Sequence, residues 1–372
     1  MFTMPRLPVL FPPTHPHMRK GVLVVGAGVV GLTTALELSN QYGDSLSITL
    51  IAKDLPGDVS PLYTSPKAGA HWTSSNSKEN KQWQLVTYKR LKQLSEIPES
   101  FVVPYPLYQG DIVPEGCEAP PFEEPWYKDL VEDYEFLGSD PKKFPQVANL
   151  HVFKSYSIST TLYLVYLLSQ CKKNGITIKR HTIASLQEAE NFVLANGKKP
   201  DVVVNCTGLQ YNQLNGCYDP KLVPVKGYVL LIENTLPYQT TFKHPKLTPD
   251  AKDGEFLMLF PRAEGGSVLG GIYDRNFTRF DTSIDADYAG RLVTKATTYM
   301  PELGRTRDIK VSTHTIGFRP ERQGGARIGV DINNRKIVHN YGNGNSGYIE
   351  SWGAAQSTVD SVAQVLFDNP KL

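Results

Sequence analysis

Three glycines, Gly26, Gly28 and Gly31, stand in G-x-G-x-x-G spacing within "VLVVGAGVVGLTTALEL". An apolar run of β-formers precedes them and a helical pattern follows. In that setting the first glycine makes a tight turn, the second admits a pyrophosphate, and the third lets helix and strand pack closely. Phosphate oxygens then meet free backbone N–H groups and the positive end of a helix dipole. Gly26, Ala27, Gly28, Val29, Val30 and Gly31 are therefore read as a dinucleotide-binding loop. The next apolar run, "SLSITLIAKD", ends in Lys53 and Asp54. Asp54 suits a ribose hydroxyl and Lys53 is expected near the adenosine. These residues do not separate NAD from FAD. A second glycine-studded segment, "HNYGNGNSGYIESWG", begins at His339 and enters another amphipathic helix.

Such loops need strands and helices behind them. Strand, glycine turn, helix and second strand over residues 20–54 form a βαβ unit, whose strands should be parallel and whose crossover should be right-handed. A helix is expected in "KQWQLVTYKRLKQLSEI", followed by proline- and aromatic-rich segments up to about residue 150. "SISTTLYLVYLLSQCKKNGITIKRHTIASL" returns to helix then strand, and "PDVVVNCTGL" to a short buried strand. Residues from Val223 to about Lys310 read as antiparallel, with "AEGG" as a hairpin turn. A charged, proline-bearing insertion, "FKHPKLTPDAKDGE", should form a loop at the domain edge. "RKIVHN" supplies a last strand.

The chain has 372 residues, enough for two joined domains. Its net charge of +2 gives no ground for nucleic-acid binding or a membrane-surface role. No apolar run approaches the roughly 20 residues of a membrane span. Cys117, Cys171, Cys206 and Cys217 have neither CxxC nor metal-ligand spacing, so no metal is expected and a reducing compartment fits. The proline-rich start, residues 1–19, reads as an extended arm. At the other end Pro370-Lys371-Leu372 is a degenerate form of the peroxisomal S-K-L address. It predicts peroxisomal location through an import receptor, and otherwise a cytoplasmic one. Assembly into a homo-oligomer is left open.

Five segments together resemble the D-amino-acid oxidase family, which includes the D-aspartate oxidases, in its fungal forms. They are "VVGAGVVGLTTALEL", "YTSPKAGAHWTS", "VVNCTGL", "TIGFRPERQGGARI" and "HNYGNGNSGYIESWG", and they run from about residue 20 to the C-terminus. The resemblance implies an α/β fold with a Rossmann-like FAD-binding domain and a second domain on a mixed or antiparallel sheet. The discontinuous FAD-binding domain would comprise residues 20–80, 150–215 and 315–372, and the substrate domain residues 81–149 and 216–314. It implies FAD, held by both glycine loops, and oxidation of small-molecule D-amino acids to imino acids. Molecular oxygen would reoxidise the flavin to give hydrogen peroxide, and hydrolysis would yield 2-oxo acid and ammonia. Beyond the first loop, Thr64, Ser65, Gly69, Ala70, Ile183, Thr207, Gly208, Gly344, Asn345, Ser346, Gly347, Tyr348 and Ile349 are expected at the cofactor.

By the same resemblance Arg319 binds the substrate carboxylate, a task suited to the planar guanidinium fork. Tyr273 faces the substrate, its hydroxyl sharing that carboxylate. His71 lies in the loop beside the flavin. No general base is needed if a neutral amine releases hydride from Cα, so orientation and electrostatics would dominate. Five departures from the family pattern bear on the substrate. Met258 replaces an expected tyrosine, Lys67 a tryptophan, and His71 an asparagine, while Asn345 and Ile349 replace serine and glutamine. His71 is then expected to donate to a second, side-chain carboxylate, with Lys67, Arg275 and Arg279 as further cations. Against this, Tyr273 stands where animal D-aspartate oxidases carry arginine. The reading leans to acidic D-amino acids, with neutral ones as the alternative. Another FAD-dependent amine oxidase or hydroxylase, or an inactive flavin-fold scaffold, is disfavoured by the "GFRP" and "HNYG" segments and by Arg319.

Overall fold

The computed structural model describes residues 19–74, 80–243, 254–276 and 280–367. The N-terminal arm, Arg279, most of the charged insertion and the terminal Pro370-Lys371-Leu372 lie outside the described residues.

Two sheets organise the chain. The first contains β1 (Lys20–Val25), β2 (Leu46–Ala52), β6 (Thr177–Arg180), β7 (Val202–Asn205), β13 (Arg327–Val330) and β14 (Ile337–Tyr341), in the order β13-β14-β7-β1-β2-β6. The pairs from β14 to β6 are all parallel, and β13 closes one edge antiparallel. Val22, Leu23 and Val24 of β1 are fully buried on both faces, as parallel strands covered on both sides must be. On one side α1 (Val29–Tyr42) packs against α3 (Thr160–Lys173) and α6 (Gly347–Leu366), and α2 (Lys81–Ser95) packs on α6. The α2–α6 approach is very close, because a Cβ at Gly353 would lie 2.2 Å from Trp83 Cα. The short α4 (Leu186–Glu190) belongs to the opposite face, with Leu186 and Ala189 in the core beneath Leu23 and Val203.

The second sheet holds β3 (Val102–Ile112), β4 (Glu135–Gly138), β5 (Val147–Ile158), β8 (Leu222–Ile232), β9 (Gln239–Lys243), β10 (Glu255–Pro261), β11 (Ser267–Ile272) and β12 (Val311–Arg322). Their order is β12-β8-β11-β10-β9-β3-β5-β4, mixed because β3 runs parallel to β9. Side chains alternate across it. Tyr228, Leu230, Leu257 and Leu259 turn to α5 (Ala286–Tyr299) and form a second core with Leu292, Val293 and Ala296. Gly227, Val229, Phe256, Met258, Phe260, Thr315, Gly317 and Arg319 turn the other way and line a cavity.

Two domain boundaries drawn from the sequence fall inside strands, and a third separates a helix from the core it packs in. β5 and β12 are strands of the second sheet, although residues 150–158 and 315–322 were expected in the FAD-binding domain. Helix α2, expected in the substrate domain, joins the first core through α6. Pairing with distant partners decides each case. α5 interrupts the region read as purely antiparallel. Its start is set by Asp285, whose side chain accepts the Tyr288 N–H at 2.9 Å. Pro104 and Pro106 do not prevent β3, because β9 flanks that strand only from Leu107 onward.

Candidate active site

One cavity of ≈ 450 Å³ runs between the two sheets. At its nucleotide end the turn after β1 is made of residues that admit no side chain. Gly26 has φ +115°, and a Cβ there would meet Cys206 O at 2.4 Å. A Cβ at Gly31 would lie 2.0 Å from Gly26 O. Gly31 does not line the cavity; it lets α1 pack against the turn, as its place in the motif requires. The Val29 N–H donates to Ser65 Oγ at 3.0 Å, and further first-turn amides remain without helical partners.

Asp54 lines the wall and accepts from Gln210 Nε2 at 3.2 Å. Lys53 lines it too, and its carbonyl accepts from Arg180. His181, Thr182, Ile183 and Leu214 complete this end. A carboxylate after the second strand marks the adenosine side by general principle. The opposite end, at Arg319, then faces the redox-active part of a bound dinucleotide.

The second glycine segment sits between these ends. Gly342 and Gly344 have positive φ, and a Cβ at Gly342 would meet Arg322 Cβ at 2.7 Å. Gly344, Asn345, Gly347, Tyr348 and Ile349 line the cavity, as do Thr64, Ser65, Gly69, Ala70, Thr207 and Gly208. Ser346 does not. It is buried, and its hydroxyl donates to Asn345 Oδ1 at 3.3 Å. Two further lining residues, Asn340 and Asn343, stand within the segment that begins at His339 but were not among the residues expected at the cofactor. Asn340 donates through Nδ2 to Thr34 Oγ1, whose own proton goes to Val30 O, so the amide cannot be turned around. Its Oδ1 is buried without a partner, and so is Asn343 Nδ2. Buried amide atoms without partners are costly unless a ligand satisfies them. Side-chain-free turns, a helix N-terminus and these two amides suit an extended dinucleotide such as FAD.

At the other end Arg319 projects from β12. A Cβ at Gly227 would lie 2.6 Å from its Nη1, so that glycine makes room for the guanidinium. Nη1 donates to the carbonyls of Ile272 at 3.1 Å and Lys226 at 3.3 Å. No carboxylate among the described residues lies within ion-pair distance of it. Enclosure by the protein pushes its pKa below the ordinary arginine value, yet the group stays charged. An enclosed guanidinium whose protein acceptors are carbonyls calls for an anion from the cavity.

The Tyr273 ring lies under Arg319, 4.6 Å from Cζ, with Arg275 4.9 Å away. Burial raises the phenol to about 12, so it acts as an O–H donor near neutrality. Arg275 is exposed and pairs with Glu321 at 2.7 Å, outside the cavity wall. Lys67 lines the wall, but its ammonium donates to the carbonyls of Ser60 at 2.8 Å and Pro61 at 2.9 Å. It is a loop staple, not a substrate cation.

His71 departs most from its expected role. It is 6% exposed, stacks on Phe260 at 4.5 Å, and sits 3.1 Å from Gln239 Oε1 through Nδ1. Gln239 donates through Nε2 to Tyr105 O, so its oxygen faces His71 and Nδ1 carries the proton. Nε2 is then an acceptor, with Thr241 Oγ1 at 3.4 Å. Burial lowers the pKa to about 4. His71, expected to donate to a second, side-chain carboxylate, is instead a neutral ring whose one N–H is turned to Gln239. The surrounding wall is Val229, Thr241, Phe256, Met258 and Phe260, with Thr73 beside His71. Among the described residues no His, Cys, Asp and Glu cluster could hold a metal ion, and no helix is long and apolar enough to cross a membrane.

The model of the FAD dependent oxidoreductase family, DAO, matches residues 21–361. The chain is 34% identical over 367 residues to the D-amino-acid oxidase of Fusarium vanettenii, spanning 94% of this chain and 98% of that one. It is 27% identical over 371 residues to the D-aspartate oxidase of Talaromyces thermophilus, spanning 92% and 94%. Its fold is similar to that of a glycine oxidase from Geobacillus kaustophilus, with a TM-score of 0.70 at 14% identity over 93% and 95% of the chains.

Proposed function

The chain belongs to the DAO family of FAD-dependent oxidoreductases, and from that premise we propose that it oxidises D-amino acids whose side chains are neutral. The products would be the 2-oxo acid, ammonia and hydrogen peroxide, from amino acid, oxygen and water. One observation carries the reading: Arg319, enclosed and without a carboxylate partner among the described residues, at the end of the FAD cavity remote from Asp54.

Bound FAD supplies the two-electron acceptor and passes those electrons to oxygen. The residues around it bind and orient. Arg319 takes the α-carboxylate with the N–H groups that its two carbonyl contacts leave over. The Tyr273 hydroxyl donates a further hydrogen bond to that carboxylate. With the carboxylate held, the sheet wall decides which Cα substituent fits. Val229, Phe256, Met258 and Phe260 favour an uncharged side chain. The acidic preference to which the sequence leans is the second reading. It would rest on neutral donors alone, such as the Thr73 and Thr241 hydroxyls. Charge is missing at that wall because His71 titrates only near pH 4 and Lys67 is bonded elsewhere. The Talaromyces relative keeps this second reading in play.

The test is oxygen uptake over D-Ala, D-Met, D-Asp, D-Glu and their L-forms, with anaerobic bleaching of the flavin spectrum. D-Ala or D-Met should exceed D-Asp, and L-forms should be inert. Faster turnover of D-Asp would restore the acidic reading; turnover of L-forms or sarcosine alone would remove the D-amino-acid reading. Arg319→Ala should lower kcat/KM for all substrates by roughly ten- to a hundredfold or more, the worth of a charge-assisted bond. We also propose peroxisomal location from Pro370-Lys371-Leu372, since hydrogen peroxide is best made beside catalase. A fusion with a free C-terminus that stays in the cytosol would refute it.

A further inference from the structure

Behind the cavity wall, four side chains carry one hydrogen-bond polarity from Asp331 to Thr207. Asp331 Oδ2 lies 2.9 Å from His339 Nε2 and also accepts from Arg327 Nη2 at 2.7 Å. His339 Nδ1 lies 3.0 Å from Asn205 Nδ2. Asn205 Oδ1 in turn receives the Thr207 N–H at 3.2 Å and the Thr207 Oγ1–H at 2.7 Å. His339 and Asn205 are 1% and 0% exposed, so water does not compete for these bonds.

The two ends dictate the same arrangement independently. At one end a carboxylate only accepts, so His339 carries its proton on Nε2 and its Nδ1 is a bare acceptor. At the other end a backbone N–H only donates, so the Asn205 oxygen must face Thr207 and its NH₂ must face His339. The middle contact closes only with both conditions met, and it does. The Thr207 hydroxyl proton is thereby committed to Asn205. What Thr207 Oγ1 offers to the cavity it lines is lone pairs alone.

We propose that Asp331, His339 and Asn205 are positioning residues that hold Thr207 as an acceptor for a sugar hydroxyl of FAD. Thr207 sits beside the phosphate loop, its nitrogen 3.5 Å from where a Cβ of Gly26 would be. A phosphate oxygen is itself an acceptor and has nothing to give to such a group. The neighbouring donors of a dinucleotide are the hydroxyls of the ribose on one side and of the ribityl arm on the other. The relay so favours the sugar at this point of the wall and leaves the phosphates to the backbone amides.

The test is FAD titration of deflavinated protein, read by flavin fluorescence. Thr207→Val should raise Kd about fivefold, Thr207→Ser should not, and His339→Phe, which leaves Asn205 held by the Thr207 N–H alone, should raise it by less than the valine variant. The double variant should bind no more weakly than Thr207→Val alone, because the relay acts only through that hydroxyl. Additive losses, or an unchanged Kd in either single variant, would overturn the proposal. ADP competition separates the two sugars: a parallel loss of ADP affinity assigns the adenosine ribose, and an intact one the ribityl arm. Should His339→Phe fail to fold, Asn205→Asp keeps the acceptor at Thr207 and should bind FAD better than Asn205→Leu; equal binding by the two would refute the relay. In wild type, ¹⁵N spectra of the His339 ring should show Nε2 protonated and Nδ1 bare, and the opposite tautomer would refute it as well.

Discussion

Around Gly26, Gly28, Gly342 and Gly344 the cavity wall is largely backbone, and around Arg319, Tyr273 and Met258 it is side chains standing on separate strands. A dinucleotide is a fixed chemical object, and its phosphates are met by amides that every residue carries. What such a site needs from the sequence is permission for the backbone to come close, and that permission is written as glycine. A substrate is selected by its one variable group. In the proposed reading that selection falls to residues from β8, β9, β10 and β12 together with the loop at His71, whose adjacency depends on the register of the whole sheet. One end therefore tolerates almost no change at its glycines, and the other should shift its preferences by degrees.

The largest effect is expected at the nucleotide end. A Cβ at Gly28 would already press on Ser65 Oγ at 2.8 Å, so Gly28→Leu should fill the phosphate site and give a colourless protein. Flavin absorbance per mole of purified protein measures this, and full occupancy would remove the loop from the cofactor site. A smaller effect is expected from Gly227→Ala. The new methyl would displace the Arg319 guanidinium, which is the movable end of a flexible side chain, so folding should survive. FAD content should stay normal while KM for every D-amino acid rises about tenfold, the worth of one well-placed charge-assisted bond. Unchanged KM would show that Arg319 is not held where the carboxylate binds.

The smallest effect on catalysis is expected from His71→Asn, whose signature is in acid stability. The unfolded chain takes up a proton near pH 6.5, whereas folded His71 resists until about pH 4. Between those values the unfolded state binds more protons, so stability is fully present above about pH 6.5 and falls as the pH drops. The loss reaches roughly 3 kcal/mol by pH 4. Urea unfolding at pH 7 and pH 4.5 should show a shallower loss in His71→Asn than in wild type. Equal losses, or a wild-type KM for D-Asp that titrates near neutrality and ceases to do so in the variant, would return His71 to the role of a charged substrate ligand.

Gly26, Gly28 and Gly31 are legible in the amino-acid sequence because their spacing between an apolar strand and a helix is a local pattern, even though Gly26 and Gly28 also make room for the distant Cys206 and Ser65. A turn and a cap are decided within a few residues. The amphipathic pattern of α5 and its Asp285 cap are equally local, and their signal is present although the surrounding strand pattern masks it. Other features have no local signature. Pro104 and Pro106 argue against β3 until it is known that β9 begins beside Leu107. The boundaries near residues 150 and 315 fall inside β5 and β12, because a strand belongs to the sheet that pairs with it, not to its neighbours in the chain. Gly227 resembles any strand glycine until the β8–β12 pairing lays Arg319 across it. His71 keeps its place in the cavity wall but loses its charge, since protonation depends on solvent access and on Gln239, 168 residues away. Backbone permission is encoded where it is used; the register of the sheet and the dielectric around a buried ring exist only once distant segments have met.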